Sequence, residues 1–96
     1  MKRLYVLVRT DLTGSSSAVQ AGHAVAQFMI EHPTEWNNSY LIYLGVDSKI
    51  ELDKWAYKLY NRGRQSRFKE PDLDNEVTAI AVSGVEQKFF KKLKLL

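Results

Sequence analysis

The pattern of apolar and polar residues divides the chain into strands and helices. Continuous apolar runs at residues 4–8, 40–46 and 77–82 are typical of strands that are covered on both faces of a sheet. The run at residues 64–69 is more polar, which predicts a strand at the edge of the sheet. We therefore expect a small sheet of four strands.

Apolar residues at helical spacing predict helices between these strands. The first helix begins at Ser15 or Ser16, whose hydroxyl groups can cap the free amides of the first turn, and it ends before Pro33. The second follows the strand at residues 40–46 and ends before Gly63, which can adopt the left-handed conformation that closes a helix. A third, short and basic, is expected at residues 85–96, where lysines alternate with apolar residues.

The resulting order is strand, helix, strand, helix, strand, strand, helix, abbreviated βαβαββα. Its first units form a βαβ crossover, which requires a parallel pair of strands. The expected fold is one α/β domain over residues 1–96, with a small mixed four-stranded sheet and helices on both faces. Ligands of such folds bind outside the carboxyl ends of the parallel strands, here residues 10–16 and the loop after Val46.

The first helix carries one polar stripe on an otherwise apolar surface. The small and apolar side is expected to pack on the sheet, because Ala and Gly let a helix approach closely. The polar stripe either faces solvent or lines a cleft, in which case His23 is a candidate general base or phosphate ligand. The stripe comprises Ser16, Gln20, His23, Gln27 and Glu31, and the opposite side comprises Ala18, Ala21, Gly22, Val25 and Met29.

Composition narrows the class of protein. With 45% hydrophobic and 26% charged residues, the chain has the composition of a folded globular protein. It contains no Cys and only two His, which excludes disulfides and argues against a zinc site, so we expect no metal and no cofactor. No apolar run approaches the roughly 20 residues of a membrane span. We expect a cytoplasmic protein without a membrane partner.

Two stretches near the N-terminus, "LYVLVRTDL" (residues 4–12) and "AVQAGHA" (residues 18–24), form a predicted strand end and the helix that follows it. They resemble the type 2 peptidyl-tRNA hydrolase family, in which a strand ending in Val-Arg-x-Asp-Leu leads into a helix carrying Ala-Gln-x-x-His-Ala. "TAIAV" (residues 78–82) stands in the place of the family's Thr-Val-Leu-Ala-Ile strand. The resemblance implies a mixed-sheet α/β hydrolase that cleaves the ester between a peptide and the 3′ ribose of tRNA without a metal.

The resemblance also implies which residues act. Asp11, Gln20, His23 and Thr78 occupy the positions of the family's motifs. The Lys that the family has four residues before the Gln is replaced here by Ser16. The family's Asp-Ala-Gly-x-Thr loop is replaced by the shorter "EPDLDNEVT" (residues 70–78). The catalytic set that the resemblance implies is therefore incomplete.

Ester hydrolysis remains chemically feasible with the residues present. His23 would activate a water if Asp72 or Glu70 fixed its tautomer. The free amides at Ser15, Ser16 and Ser17 would hold an oxyanion or a phosphate at the helix N-terminus.

Several candidate residues also have a purely structural interpretation. Asp11 is as consistent with a turn-forming residue as with a catalytic one, whereas its position after Pro71 favours a turn-forming interpretation of Asp72. Thr78 is most simply a strand residue. Trp55 lies on an apolar helix face and is expected in the core, whereas Trp36 lies in a loop as a stacking surface or an anchor.

Basic residues suggest tRNA as the partner. The formal net charge is +3, and two basic clusters are suited to contact phosphates, although such clusters are often only solvated surface. The candidate tRNA contacts are Arg9, Arg62, Arg64, Arg67, Lys69, Lys88, Lys91 and Lys92.

Two other functions remain open. Loss of the Lys at Ser16 favours a non-catalytic module that binds RNA or a protein on the same scaffold. A small-molecule-binding α/β domain is the third interpretation. The C-terminal "KFFKKLKLL" (residues 88–96) either pairs subunits in a homodimer or packs on the sheet.

Overall fold

The fold is a mixed β-sheet with one α-helix on each face. The computed structural model describes residues 3–12 and 16–96. Within that part of the chain, the sheet order is β3-β4-β1-β2-β5, with β1 and β2 parallel and the other pairs antiparallel. The strands are β1 (Arg3–Arg9), β2 (Tyr40–Val46), β3 (Arg64–Glu70), β4 (Glu76–Ser83) and β5 (Lys94–Leu95), and the helices are α1 (Ser16–Glu31) and α2 (Lys49–Lys58).

The predicted βαβ unit is confirmed and forms the centre of the fold. Six consecutive residues of β1, from Leu4 to Arg9, are buried, as expected for a strand covered on both faces. The cap of α2 is Ser48, whose hydroxyl accepts a hydrogen bond from the Glu51 amide at 3.2 Å. The predicted edge strand is β3, which among the described strands pairs only with β4.

A core lies on each side of the sheet. On one side, α2 packs Leu52 and Trp55 against Leu7 and Ile80, as predicted for Trp55. On the other side, α1 packs against Val6, Val8 and Ala81. Trp36 is buried in this second core and its Nε1 donates to the Tyr40 carbonyl at 3.1 Å, so it anchors its loop.

The C-terminal segment is not the predicted helix. A 3₁₀ helix covers Gln87–Phe90, and β5 then pairs antiparallel with Leu44 and Gly45 of β2. An isolated short helix is marginal, whereas this segment buries Phe90 and pairs part of an open sheet edge. The sheet therefore has five strands in the described residues instead of four.

The orientation of α1 also differs from the prediction. Ala21 packs on the sheet as expected, but Ala18 and Gly22 are exposed, and Gln20 of the polar stripe is buried. The largest apolar side chain of the inner arc, Phe28, is fully buried and sets the rotation of the helix. One edge of the polar stripe therefore faces β3 and β4.

Among the described residues, no helix is both long enough and apolar enough to cross a membrane.

Candidate active site at the carboxyl end of β1

A break in strand register turns Thr78 toward α1. Phe68 pairs with Ala79 but the next residue, Lys69, pairs with Val77, so Thr78 is an extra residue in β4. Ala79 packs in the core beneath α1, and Val77 packs against the core beneath α2. Thr78 reaches Gln20 of α1, so it faces the same side as Ala79. The bulge breaks the alternation that a regular strand imposes and adds a hydroxyl to the α1 side.

Gln20 is the centre of a buried polar network. The Thr78 hydroxyl donates to Gln20 Oε1 at 2.5 Å, and Gln20 Nε2 donates to Glu70 Oε1 at 2.8 Å. Gln20 is only 5% exposed and Thr78 is fully buried. Because both ends of the amide have partners, its orientation is fixed and one oxygen of the half-buried Glu70 carboxylate is held beside it.

His23 lies three residues further along α1 and is exposed. Its ring stacks on Phe68, with centroids 4.6 Å apart and planes within 10° of parallel. Within the described residues, no hydrogen bond joins His23 to Glu70 or Asp72. The expected carboxylate that fixes the His23 tautomer is therefore not present in this arrangement.

Asp72 makes no hydrogen bond to this network within the described residues. It is exposed in a 3₁₀ helix, Pro71–Leu73, that connects β3 to β4. Of the two carboxylates considered from the sequence, Glu70 is the one that contacts Gln20.

Arg9 and Asp11 form an ion pair next to the network. Arg9 Nε and Nη2 donate to the two Asp11 oxygens at 2.9 and 2.8 Å, and Nη1 donates to Glu76 Oε2 at 2.9 Å. These hydrogen bonds hold the pKa of Asp11 below its usual range and raise the pKa of Arg9. The buried Arg9 guanidinium thus already has carboxylate partners inside the protein.

The N-terminus of α1 is tied to the end of β1. The Ser17 hydroxyl donates to the Arg9 carbonyl at 2.7 Å. Ser16 is the first residue of α1 and is half-buried, and Ser15 lies outside the described residues. The first amides of the helix therefore lie beside the strand end that carries Arg9 and Asp11.

Most of the candidate tRNA contacts lie on the opposite side of the sheet. The Arg62 guanidinium lies over the Phe89 ring at 4.7 Å, which brings Arg62 onto the C-terminal segment. Lys58 lies over Trp55 at 4.6 Å and was not among the expected contacts, although it follows Trp55 by three residues on a predicted helix. We call this set the α2-side basic surface: Lys58, Arg62, Lys88, Lys91 and Lys92.

The basic residues of β3 are partly engaged within the protein. Arg67 donates to the Ala56 carbonyl at 3.1 Å, and Arg64 lies 3.9 Å from Glu35. Lys69 is exposed, next to Phe68 in β3. These side chains cover the edge strand, which protects it from pairing with other strands.

A cleft of about 600 Å³ lies at the carboxyl ends of β1 and β2. Its walls carry Lys58, Lys92 and Lys94 together with Asp47 and Glu51. This is the region where the topology predicts a ligand, and the cleft adjoins the α2-side basic surface.

In the described residues, no group of three or more His, Asp or Glu side chains is arranged to hold a metal ion. The arrangement can instead orient a water beside Glu70 and can offer helix amides to a developing negative charge.

Three of the residues named by the sequence resemblance thus lie in or beside one network, namely Gln20, His23 and Thr78, and Asp11 lies at the same end of β1. Sequence reasoning did not name Phe68 or Glu76. The alternation of Ser66, Phe68 and Glu70 along β3 is the signal that would have placed Phe68 beside Glu70 on the α1 side.

No family model matches the chain, and no curated protein matches it.

Proposed function

We propose that this protein hydrolyses the ester bond between a peptide, or an N-blocked amino acid, and the 3′ end of tRNA. The observation that supports this best is the hydrogen bond between Thr78 and Gln20, which are 58 residues apart in the chain. The resemblance to type 2 peptidyl-tRNA hydrolases named both residues from separate motifs. Their convergence beside the Glu70 carboxylate yields a polar site with the elements of ester hydrolysis.

In the proposed reaction, Glu70 is the general base. The carboxylate oxygen not bonded to Gln20 accepts a proton from a water, and that water attacks the ester carbonyl carbon. The free amides in the first turn of α1, near Ser16 and Ser17, stabilise the oxyanion of the tetrahedral intermediate.

Collapse of the intermediate breaks the bond between the carbonyl carbon and the ribose 3′ oxygen. The proton taken by Glu70 is returned to that oxygen, so the products are a tRNA with its 3′ hydroxyl and a free peptide carboxylic acid, which releases its own proton to solvent and becomes a carboxylate. His23 and Phe68 form the exposed wall of the site and position the 3′ end. No step requires a metal or a cofactor.

The α2-side basic surface is the proposed contact for the tRNA backbone. The candidate catalytic network and the ion pair beside it carry three carboxylates, Asp11, Glu70 and Glu76, against the single guanidinium of Arg9, so their net negative charge repels phosphates. The cations Lys58, Arg62, Lys88, Lys91 and Lys92 instead lie on and beside α2 and the C-terminal segment, so we expect the RNA backbone there and only the 3′ end at Gln20. Such an enzyme acts in the cytoplasm, where tRNA is charged and used.

The test compares two neighbouring carboxylates in the same assay. Release of the acyl group from N-acetyl-aminoacyl-tRNA is measured for the wild type, Glu70→Gln and Asp72→Asn. We expect Glu70→Gln to lower the rate about 100-fold or more, the usual contribution of a general base, and Asp72→Asn to leave it within about threefold. Equal rates for Glu70→Gln and the wild type would show that Glu70 is not the base.

A matched pair of variants at His23 distinguishes the aromatic contact of its ring from proton transfer by its imidazole. His23→Phe retains an aromatic ring against Phe68 and removes the imidazole, whereas His23→Ala removes both. We expect His23→Phe to keep most of the activity and His23→Ala to lose it through a higher KM. Equal losses in kcat for both variants would assign His23 the proton transfer instead.

A non-catalytic RNA-binding module is the second candidate. Ser16 at the position of the family's Lys and the absence of a carboxylate partner for His23 among the described residues favour it. In the same assay, it predicts salt-sensitive tRNA binding without any release of the acyl group above the spontaneous rate.

A further inference from the structure

The outer edge of β2 is only partly paired. β5 pairs with residues 44–45, and the Leu96 amide donates to the Tyr43 carbonyl at 3.0 Å. Among the described residues, no strand pairs with residues 40–42 on this side of β2. Backbone groups alternate in direction along a strand, so the amide and the carbonyl of Leu41 point outward like the Tyr43 carbonyl. They can therefore form hydrogen bonds with a strand from another molecule.

This edge lacks the protection that the opposite edge of the sheet has. Basic side chains cover β3 at that opposite edge, and charges on an edge strand oppose pairing with other strands. Residues 40–42 carry no charge, and Tyr40 and Leu41 are 55% and 44% exposed. An exposed, uncharged edge is the kind of sheet edge to which an extended peptide adds a strand.

A cavity of about 440 Å³ opens beside the unpaired edge, on the α2 side of the sheet. Every second residue of β2 lines it, namely Tyr40, Ile42 and Leu44, and the C-terminal segment contributes Phe90 and Leu93. Side chains of an added strand also alternate between the two faces of the sheet, so every second one faces this cavity. A peptide bound at the edge should therefore carry an apolar side chain at such a position.

The charged residues of the cavity indicate the charge of the partner. Arg3 and Lys91 line it, and no Asp or Glu does. Arg3 donates to the neutral amide of Gln87 at 3.2 Å, and neither cation forms a salt bridge within the described residues. Unpaired cations beside an apolar cavity favour a partner that carries carboxylates.

The Tyr5 hydroxyl is a further polar group without a partner. Tyr5 follows Arg3 by two residues on the same face of β1 and lines the same cavity. It is 3% exposed, and its hydroxyl makes no hydrogen bond among the described residues. Buried hydroxyl groups are normally paired. A carboxylate from another molecule would accept hydrogen bonds from both Arg3 and Tyr5.

We infer that the outer edge of β2 binds an extended peptide in which acidic residues flank an apolar one. The peptide adds a strand in line with β5 and pairs with the backbone of Leu41. Its apolar side chain enters the cavity, and its acidic side chains on the same face meet Arg3 and Lys91. The Tyr5 hydroxyl is itself covered, so a carboxylate reaches it only after the side chains around the cavity shift.

A second copy of the chain fits this edge less well. Pairing of two β2 edges joins two cavities that both carry Arg3 and Lys91, and these like charges repel. The site lies at the amino end of β1, whereas the proposed active site lies at the carboxyl end, so the inference does not depend on the proposed hydrolysis. Lys91 also belongs to the α2-side basic surface, and the test therefore uses Arg3.

Fluorescence anisotropy of a labelled peptide, titrated with the full chain, tests the inference. The probe is Thr-Glu-Thr-Phe-Thr-Glu-Thr, which reads the same in both directions and has Phe and both Glu on one face of a strand. We expect saturable binding with a dissociation constant of the order of 10 to 100 µM. Two control peptides should bind at least about 10-fold more weakly. One is methylated at the amide nitrogens of Phe and the following Thr, which blocks backbone pairing, and the other has Lys in place of both Glu.

Protein variants test the cavity with the same probe. Arg3→Gln should weaken binding at least about fivefold. Lys54→Gln is the matched control, because it also removes one positive charge, from a side chain of α2 that pairs with Glu51 at 3.2 Å. It should bind within about twofold of the wild type. Tyr5→Phe should weaken binding, whereas its melting temperature without peptide should equal or exceed that of the wild type, because the unpaired hydroxyl is gone.

Several results would overturn the inference. They are no saturable binding up to about 1 mM, equal affinity for the methylated and unmethylated peptides, and equal affinity of Arg3→Gln and Lys54→Gln for the probe. Sedimentation tests the second copy as the occupant. A dimer of the unliganded chain that Leu41→Pro abolishes, through loss of the outward amide, would assign this edge to a second copy instead.

Discussion

The amide of Gln20 illustrates how a polar residue is accommodated inside a small domain. Burial of an amide is unfavourable unless its donor and its acceptor both have partners. Thr78 supplies the donor for Gln20 Oε1, and Glu70 accepts from Gln20 Nε2. The same bonds that make burial of Gln20 tolerable also fix Glu70 relative to α1, so stability and the candidate chemistry share these atoms.

Removal of the Thr78 hydroxyl should show that the stability of the fold depends on this network. Thr78→Val keeps the shape of the side chain and leaves Gln20 Oε1 buried without its donor. We expect a loss of about 1 to 3 kcal/mol in the free energy of unfolding, measured by urea denaturation. Thr34→Val in an exposed loop position is the control and should change stability by less than about 0.5 kcal/mol. Equal stability of the two variants would contradict the network.

The ion pair of Arg9 and Asp11 should make stability depend on pH. Because Arg9 donates to Asp11, the folded-state pKa of Asp11 is below its unfolded-state value of about 4. The stabilisation is therefore complete above pH 4 or so and is lost as the pH falls through the folded-state pKa. Asp11→Asn should be less stable than the wild type at pH 7, and the difference should shrink toward pH 2. Urea midpoints at both pH values measure this, and an unchanged difference would contradict it.

At the scale of elements, the turn from α2 into β3 is fixed by contact with the end of β4. Gly63 has φ of 61°, and a Cβ atom there would lie 1.9 Å from the Ser83 carbonyl oxygen. A side chain at this position requires both a left-handed backbone and displacement of β4. The turn therefore determines where β3 begins. Through the pairing of β3 with β4, it also determines the position of Glu70, the last residue of β3.

Gly63→Ala should consequently be among the most damaging small substitutions. We expect it to lower the free energy of unfolding by about 2 kcal/mol or more, because strain and a backbone clash add. Gly84→Ala is the matched control, since its backbone is also left-handed but its Cβ would lie no closer than 3.4 Å, to Gly63. The melting temperature of Gly84→Ala should be clearly higher than that of Gly63→Ala. The reverse order would contradict the steric argument.

The residue patterns predict closely where the strands and helices up to residue 83 lie. They predict less well which face of each element is buried. Helical spacing identified the arcs of α1 but not which arc is buried, because Ala18 and Gly22 are as apolar as Ala21, and the large Phe28 determined the rotation. Two-residue periodicity places Thr78 on the α2 side, and only the register between β3 and β4 reveals the bulge that reverses it.

The sequence likewise predicted part of the candidate site and left the rest undetermined. Asp11, Gln20, His23 and Thr78 were named by resemblance, which carries information about a fold that one chain's periodicity does not. The choice of Glu70 over Asp72 as the carboxylate beside Gln20 depends on strand register and a 3₁₀ turn, and those arise from packing between distant segments.

At the scale of the whole molecule, charge is separated between two regions. Carboxylates surround Arg9 and Gln20, whereas Lys58, Arg62 and the C-terminal lysines lie on and beside α2. If the α2-side basic surface contacts phosphates, the affinity for tRNA must fall with salt concentration because bound counterions are released.

The double variant Lys91→Gln and Lys92→Gln should weaken tRNA binding and make it less sensitive to salt. Each lost phosphate contact lowers the slope of log affinity against log salt by about 0.7 to 0.9. Lys49→Gln is the control, because Lys49 already pairs with Asp53 at 3.1 Å and lies outside the basic surface. Filter binding at several salt concentrations measures both slopes. Identical slopes for the double variant and the control would place the RNA elsewhere.

Single-turnover hydrolysis tests the proposed function most directly. Wild-type protein in excess is mixed with N-acetyl-aminoacyl-tRNA, and both the bound fraction and the release of the acyl group are followed. We predict that the ester of the bound tRNA is hydrolysed at least about 100-fold faster than the spontaneous rate. Saturated binding of tRNA whose ester decays only at the spontaneous rate would contradict a hydrolase and would identify a binding module on this fold.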